Sequence, residues 1–339
     1  MSDNRQRFRV GLVGTGGIAR AHGQACAQLE QVDLCAVHDV SAKAMEAFGQ
    51  QFGVERHYLD LDQMLEQEQL DIAVICTWGA HHAANGIQLA NSGKVRGILC
   101  EKPITLTAAE YRPMAAAAQE QGVLLAEAFK FRHHPMHLKA KELIEAGVIG
   151  EVLNVRSTFC TGGSGAGPQD RAPASNWRFN KAKGGGSIYD LACYNIHHAR
   201  FIFGADPVRL FATGQPGLEV DDGAFMLMEF PGGGTAQITV GFNQAGGQYA
   251  EISGRGGMLR LDRVWNNENS PVSIEQTTPA GTEVIEFAAN FQFALQLEHM
   301  CQCLATGQPH RISAADSLGQ MHTIDAIYES MATGRSVDL

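Results

Sequence analysis

Residues 8–29 read FRVGLVGTGGIARAHGQACAQL, and this stretch decides the fold of the first part of the chain. It opens with a run of apolar and β-branched residues that ends at a glycine, which is typical of a buried strand. The second half, IARAHGQACAQL, has the periodicity of a helix. The glycines between the two predict a tight turn from strand to helix. The stretch therefore predicts a strand–turn–helix unit.

The same alternation of strand and helix patterns continues beyond this unit. VDLCAVHD, LDIAVICT and RGILCEKP predict further strands, Ser41 is placed to cap one helix, and NSG at 91–93 to end another. Strands that alternate with helices indicate a doubly wound parallel sheet. Later in the chain, short runs such as AFMLMEF and TAQITVGF indicate antiparallel strands. We predict an α/β Rossmann-type domain over 1–128 and an α+β domain with a large, open, mostly antiparallel sheet over 129–339.

The composition restricts the class of protein. The chain has 339 residues, a net charge of −10 and no cluster of Lys or Arg, which argues against binding to nucleic acid or an anionic membrane. No apolar run approaches the ~20 residues of a membrane helix, and the polar start MSDNRQRFRV does not resemble a secretory signal. The eight cysteines lie in apolar segments, which predicts buried thiols in a reducing compartment. We expect the cytoplasm.

The turn after the first strand carries a dinucleotide-binding pattern, although a plain strand-to-helix turn is the alternative. The pattern G-x-G-x-x-A covers Gly14, Thr15, Gly16, Gly17, Ile18 and Ala19. Bare glycine backbone lets a pyrophosphate approach, and the helix N-terminus offers it N–H groups. Asp39, at the end of the next strand, is expected to accept hydrogen bonds from ribose hydroxyls and to repel a 2′-phosphate. This favours NAD over NADP; Lys43, the nearest cation, weakens the preference.

The motif CEKP, residues 100–103, ends a later strand of the predicted parallel sheet. Ligands bind at the carboxyl edge of such sheets, so Lys102 is expected to lie in a ligand cleft. Pro103 restricts Lys102 to an extended backbone. A lysine beside a cationic nicotinamide should have a lowered pKa or lower the pKa of a neighbouring hydroxyl. The alternative is an exposed lysine in a turn.

A dense set of reactive side chains follows three glycines in GGGSIYDLACYNIHH, residues 184–198. If 187–203 form one regular helix, Asp190, Tyr194 and His197 lie on the face opposite its apolar stripe, where a ligand can reach them. A solvated polar face is the alternative. Asp190 and His197 lie about two turns, or ~10 Å, apart, which is too far for a pair of zinc ligands. We therefore expect no metal site.

Several motifs along the chain resemble the Gfo/Idh/MocA oxidoreductase family. They are GLVGTGGIA, EKP, EAFKFRHHP, LIEAGVIGEV, NWRFNKAKGGG and DAIYESMATGRSV, and they occur in the family's order. The resemblance implies an NAD(P)-dependent enzyme that transfers hydride between nicotinamide and a hydroxyl carbon of a sugar, polyol, inositol or cyclic diol. It does not define the substrate, because the loops that shape the pocket have no sequence pattern that indicates one. One such loop, TGGSGAGPQD at 161–170, is expected to be mobile and exposed.

The resemblance also implies catalytic roles. Relatives carry D-x-G-x-H after the triple glycine, and this chain has Asp190, Ala192 and Tyr194 at those positions. A tyrosine in place of the histidine is similar to the branch of glucose–fructose oxidoreductase, xylose dehydrogenase and dihydrodiol dehydrogenase. Tyr194 is then the general acid/base, Lys102 lowers its pKa, and Asp190 orients the substrate. His197 is expected either to bind a sugar hydroxyl or to support Asp190.

Further contacts follow from the resemblance alone. The family's T-P-N-x-x-H pattern is only partly kept, with Trp78 and Gly79 in place of Pro and Asn. Outside the glycine turn, the expected cofactor-binding residues are Asp39, Thr77, His82, Glu101, Lys102, Glu127, Trp177 and Arg178. The expected substrate-binding residues are Lys102, Arg132, Asp190, Tyr194 and His197.

Two other functions occur on this fold among relatives. One is a nicotinamide-dependent glycosidase, which would release a sugar without net cofactor turnover. The other is a regulator that binds nicotinamide without chemistry; such a protein need not keep Lys102 or Tyr194, and this chain has both. The apolar alternation of the antiparallel strands predicts a covered sheet face, and hence a homodimer or homotetramer.

Overall fold

The computed structural model describes residues 7–162, 170–268 and 270–339. Most of the predicted mobile loop at 161–170 therefore lies outside the described residues. The chain divides into two compact units, Met1–Lys130 with Phe291–Leu318, and Phe131–Asn290 with Gly319–Leu339. The segment Phe291–Leu318 thus belongs to the first unit. The predicted single boundary after residue 128 places this segment in the second domain.

Strands and helices account for most of the described residues. The strands are β1 (Phe8–Val13), β2 (Val32–His38), β3 (His57–Tyr58), β4 (Leu70–Ile75), β5 (Val95–Cys100), β6 (Leu124–Glu127), β7 (Val152–Cys160), β8 (Arg209–Pro216), β9 (Asp221–Glu229), β10 (Thr235–Gly241), β11 (Gly247–Gly254), β12 (Met258–Asp262), β13 (Val272–Thr278), β14 (Gly281–Phe287) and β15 (Val337–Asp338). The α-helices are α1 (Gly17–Gln28), α2 (Ala42–Phe52), α3 (Leu61–Gln67), α4 (His82–Asn91), α5 (Ala108–Glu120), α6 (Pro135–Glu145), α7 (Cys193–Phe203), α8 (Gln292–Thr306) and α9 (Ala314–Thr333).

The first unit is built on a six-stranded parallel sheet in the order β3-β2-β1-β4-β5-β6. This is the predicted Rossmann-type sheet, with the order reversing between β1 and β4. The Ser41 side chain accepts a hydrogen bond from the Ala44 N–H at 3.3 Å and caps α2, as predicted. Gly93, with φ +66°, lies just beyond the end of α4. The local signals thus confirm the helix boundaries that the sequence predicts.

Helix α8 completes the core of the first unit. Leu297 and Met300 are fully buried in one apolar cluster with Val10 of β1 and Leu99 of β5. A Cβ atom on Gly97 would lie 2.6 Å from Met300 Cε, so α8 packs close enough to β5 that a larger residue there would displace the end of the Met300 side chain. The first unit therefore depends on residues that are distant in sequence.

The second unit contains a nine-stranded sheet in the order β14-β13-β12-β11-β7-β10-β9-β8-β15. The pairs are antiparallel except for β7 with β10, which confirms the predicted mostly antiparallel sheet. In β9, Met226 and Met228 are buried, whereas Phe225 and Leu227 are exposed on the opposite face. This period of two is the alternation that the sequence shows.

Two further expectations concern the whole chain. All eight cysteines are thiols, and all except Cys35 are buried. Within the described ranges, no helix is both long and apolar enough to cross a membrane.

Candidate active site

The glycine turn lies between β1 and α1. Gly14 has φ +98°, and a Cβ atom there would come within 2.9 Å of the Cys76 carbonyl group, so only glycine fits. Among the described residues, and apart from the chain neighbours and the backbone of α1, no atom would lie within 4 Å of a Cβ atom on Gly16 or Gly17. The space beside these two glycines is therefore open, and Gly16 begins α1 without a side-chain cap. This turn fits a phosphate-bearing cofactor, because uncapped N–H groups at the start of a helix bind anions.

Asp39 follows β2 and lies at the glycine turn. Its Oδ2 accepts hydrogen bonds from the Thr15 N–H at 2.7 Å and the Thr15 hydroxyl at 2.9 Å. Its Oδ1 accepts from the Ser41 N–H at 2.9 Å. These bonds fix the orientation of the carboxylate. Because a carboxylate can accept about four hydrogen bonds, Asp39 retains capacity for a ribose hydroxyl.

Thr77 and His82 lie together after β4. The ring nitrogens of His82 lie 3.0 Å from the Pro103 carbonyl oxygen and 3.1 Å from the Thr77 carbonyl oxygen. Burial lowers the pKa of His82 below its usual value. The Asn85 side chain donates to Thr77 Oγ1 at 3.2 Å, so an asparagine of α4 supplies a hydrogen bond near the position of the replaced family asparagine. Trp78 is 46% exposed and offers an apolar surface beside Thr77.

Glu101 and Lys102 follow β5, and the peptide bond between Lys102 and Pro103 is cis. Glu101 Oε1 lies 2.7 Å from His22 Nε2, and Oε2 accepts from the Lys102 N–H at 3.3 Å. Burial acts to raise the pKa of Glu101, but the hydrogen bond and charge of His22 and the charge of Lys102 outweigh it, so the pKa lies below its usual value. Glu101 is therefore a carboxylate at neutral pH.

Glu127 is the last residue of β6 and is fully buried. Its Oε1 accepts from the Ile104 N–H at 3.0 Å, which holds the chain two residues after Lys102. The parallel sheet thus brings the predicted residues of the first unit to its carboxyl edge. These residues are Gly14, Gly16, Gly17, Asp39, Thr77, His82, Glu101, Lys102 and Glu127.

The candidate catalytic residues of the second unit follow the triple glycine. A π-helical turn, Ile188–Ala192, precedes α7. Asp221 holds the start of this turn: its Oδ2 accepts from the Ser187 hydroxyl at 2.6 Å and the Ile188 N–H at 2.8 Å. Its Oδ1 accepts from the Tyr328 hydroxyl at 3.1 Å. Asp221 is not predictable from the sequence, because no local pattern links a strand residue to a helix start 33 positions earlier in the chain.

The expectation of one regular helix with an open polar face was wrong. The π-turn has a wider period than an α-helix, so positions projected at 100° per residue are misplaced. Every residue from Cys193 to Arg200 is buried, since α7 packs on β7 and Gln320 of α9 donates to the Cys193 carbonyl at 2.9 Å. In this segment, a ligand can therefore reach only those side chains whose ends keep some exposed surface.

Three predicted residues meet at the π-turn. Asp190 is 8% exposed, and Arg178 Nε donates to its Oδ2 at 2.8 Å. The Trp177 ring lies 4.9 Å from the Arg178 guanidinium carbon, which is a cation–π contact. Together they form a partly exposed arrangement with a carboxylate, a guanidinium and an aromatic face.

Tyr194 lies in an aromatic setting. It is 7% exposed, and its ring centroid lies 5.8 Å from that of Phe159, 5.9 Å from Trp265 and 6.2 Å from Phe131. Ring–ring packing of this kind holds the side chain in one orientation.

His197 lies in the interior of the second unit. It is fully buried, and Arg132 Nη1 donates to its Nε2 at 2.8 Å. The Arg132 guanidinium carbon also lies 4.0 Å from the centroid of the Phe201 ring. The two predicted substrate-binding residues thus contact each other.

A cluster of buried histidines surrounds Trp265, and no sequence pattern predicts it. His137 and His198 lie 5.4 Å apart by ring centroid, and both contact the Trp265 ring. Within the described part of the chain, no three or more His, Cys, Asp or Glu side chains are arranged to hold a metal ion.

Comparisons with known proteins identify the family. Residues 8–129 match the GFO/IDH/MocA model described as an oxidoreductase family with an NAD-binding Rossmann fold. Residues 137–260 match the GFO/IDH/MocA C-terminal domain. The fold and the matched sequences define the class, an NAD(P)-dependent oxidoreductase. The chain belongs to the Gfo/Idh/MocA family.

Several relatives are similar over nearly their whole length. A D-xylose 1-dehydrogenase (NADP(+)) of Haloferax volcanii is 29% identical over 97% of this chain and 99% of its own. A trans-1,2-dihydrobenzene-1,2-diol dehydrogenase of Mus musculus is 28% identical over 88% and 89%. The crystal structure of a 3-ketoreductase of Actinomadura kijaniata with NADP and TDP-benzene has a TM-score of 0.86 at 26% identity, covering 96% of this chain and 98% of that one.

Proposed function

We propose that this enzyme transfers hydride between a nicotinamide cofactor and a hydroxyl carbon of a sugar, polyol, inositol or cyclic diol. The observation that carries the proposal is a Rossmann sheet edge with an open glycine turn and the Glu101–Lys102 pair, in a chain whose relatives act on such molecules. Fold alone does not establish a reaction, so the assignment depends on these residues.

Tyr194 is the proposed general acid/base, and Lys102 its cationic partner. In oxidation Tyr194 removes the hydroxyl proton while the carbon loses hydride; in reduction it returns that proton to the forming alkoxide. An ordinary tyrosine has a pKa near ~10, so a neighbouring cation is needed for this role at neutral pH. Bound NAD(P) supplies the hydride acceptor or donor.

Asp190 and Arg178 are the proposed substrate-orienting pair. Their ion pair holds the carboxylate in one direction while leaving part of both groups exposed. Trp177 adds an apolar face, which suits the carbon skeleton of a ring substrate. Because His197 is buried against Arg132, we assign His197 the support of Arg132 rather than direct contact with substrate.

The proposed residues for cofactor binding divide by chemistry. The glycine turn holds the pyrophosphate, and Asp39 binds the adenosine ribose, which favours NAD over NADP. Thr77, His82 and Glu127 shape the edge of the sheet near the nicotinamide. The remaining proposed contacts are Ile18, Ala19, Glu101, Lys102, Trp177 and Arg178.

We also propose a cytoplasmic homodimer or homotetramer without nucleic-acid or membrane partners. The eight thiols support a reducing compartment. Phe211 of β8 pairs with Leu227 of β9, and these side chains are 42% and 44% exposed on the outer sheet face. Apolar side chains that adjoin across two strands favour a covered face. Light scattering that shows only monomer at micromolar concentration would remove the oligomer from the proposal.

Nicotinamide absorbance during turnover tests the function. NAD and NADP are offered separately with aldoses, polyols, inositols and trans-dihydrodiols, and we expect reduction of the cofactor with one of these classes. Absence of turnover across the panel, with cofactor shown to be bound, would refute the dehydrogenase assignment. Release of a sugar from a glycoside without net cofactor turnover would then identify a glycosidase.

A further inference from the structure

His22 is a buried polar residue to which the proposed mechanism gives no role. It lies in α1, five residues after the first residue of that helix, and has no exposed surface. Its ring packs edge-on against Phe293 of α8, with the centroids 5.3 Å apart. The histidine is therefore held in one position by the helix that starts at the glycine turn.

One carboxylate links His22 to Lys102. Glu101 Oε1 lies 2.7 Å from His22 Nε2, and Oε2 accepts from the Lys102 N–H. The Glu101 N–H in turn donates to the Ile75 carbonyl oxygen at 3.0 Å, which continues the pairing of β5 with β4. The backbone at Lys102 is thus connected both to the sheet and to α1.

The charge on Glu101 also acts on two thiols and one histidine ring in its surroundings. Cys76, Cys100 and His82 are close enough to be affected by it. Burial raises the pKa values of both thiols well above their usual range and lowers that of His82, so all three are neutral at pH 7. The attraction between Glu101 and Lys102 is mutual and favours the ammonium form of the lysine.

We propose that His22 is a positioning residue for hydride transfer, because it holds Glu101 where that carboxylate fixes the Lys102 backbone and favours its charged side chain. This inference rests on the proposed function, in which Lys102 must be cationic to assist Tyr194. His22 acts through Glu101 and is not itself a catalytic residue.

Two matched substitutions separate positioning from simple packing. His22→Gln keeps an N–H donor at nearly the reach of Nε2, whereas His22→Asn is polar but one methylene shorter. We expect His22→Asn to lower kcat at least about tenfold with KM within about threefold, and His22→Gln to restore most of kcat. Equal loss in both variants, or unchanged kcat in His22→Asn with only a lower Tm, would contradict the proposal.

Glu101→Gln tests the charge separately and remains informative if His22→Asn does not fold. Without the carboxylate, the alkaline limb of kcat/KM should move about one pH unit lower, because the Lys102 ammonium is less favoured. His57→Gln is the control, since that ring hydrogen-bonds the Val54 carbonyl elsewhere in the first unit and its loss should leave the limb in place.

A readout without turnover separates this proposal from the proposed function. Reductive ¹³C-methylation labels the lysine amines, and Lys102→Arg identifies the Lys102 resonance. We expect that resonance to titrate about one pH unit lower in Glu101→Gln than in the parent protein. An unchanged titration in both Glu101→Gln and His22→Asn would overturn the inference. A shifted titration in a protein that turns over no substrate would instead retain the coupling and reject the proposed function.

Discussion

Mild acid should unfold the second unit through its buried histidines. Burial lowers the pKa of His134 to about 4 and that of His198 to about 3. Burial also places the pKa values of His137 and His197 well below their usual range. Hydrogen bonds agree with the neutral forms: His134 Nδ1 accepts from the Met136 N–H at 3.1 Å.

The charged groups around these rings mostly oppose protonation. Arg132 donates to His197 Nε2, so a proton on that nitrogen would break the bond and place two cations side by side. Arg200 adds a second positive charge near His197. Glu268 acts in the opposite direction, on His134.

The sign and size of the effect follow from linkage. A histidine whose pKa is depressed by folding binds protons more readily when unfolded, so its contribution to stability is complete above about pH 6.5 and is lost as the pH falls towards the folded value. At pH 5 each such histidine reduces the free energy of unfolding by about 2 kcal/mol. Four of them together reach about 8 kcal/mol, comparable with a total stability of about 5–15 kcal/mol.

Urea unfolding at pH 7.5 and pH 5.0 measures this difference. Trp265 is fully buried among the rings, so tryptophan fluorescence in a Trp78→Phe background reports on the second unit, with far-UV circular dichroism as an independent signal. His198→Phe should reduce the difference in the free energy of unfolding between the two pH values by about 2 kcal/mol. Exposed His81, which lies outside the cluster, provides the control variant His81→Asn. A free energy of unfolding that differs by less than about 1 kcal/mol between the two pH values would refute the reasoning.

Three further changes test the site. Tyr194→Phe should abolish turnover while cofactor binding remains intact; near-normal turnover would exclude Tyr194 as the acid/base. Asp39→Asn should raise the affinity for NADP relative to NAD at least about tenfold, and a parent protein that already prefers NADP would contradict our interpretation of Asp39. Gly14→Ala should lower the free energy of unfolding by about 2 kcal/mol. Gly16→Ala should leave stability unchanged and weaken NAD binding, as calorimetry and urea unfolding can establish.

The first sheet was predictable because its signals are local. A buried apolar run, a glycine turn and a carboxylate about 20 residues later recur wherever a dinucleotide-binding unit forms. Gly14 shows why: its positive φ and the adjacent Cys76 carbonyl leave no alternative residue. The roles of Tyr194 and Lys102, in contrast, came from resemblance, and they stay predictions.

The π-turn and the interior position of His197 were not predictable. Periodicity identifies an apolar stripe, but it does not show what covers the opposite face. Here Gln320 of α9, more than a hundred residues away, covers part of α7. Asp221, a residue of β9, likewise fixes the start of the helical segment at Ser187. No local sequence pattern connects that strand to the helical segment.

The return of Phe291–Leu318 to the first unit has a consequence for synthesis on the ribosome. The sheet emerges early, but the helix that closes its core begins about 160 residues after Lys130. At elongation rates of about 5–20 residues per second, that interval is roughly 8–32 s. During it the apolar surface later covered by Leu297 and Met300 stays open, and nascent chains are most exposed to chaperones or to aggregation. A separately supplied C-terminal peptide that contains α8 should therefore reduce the aggregation of a translation product that is arrested before residue 291.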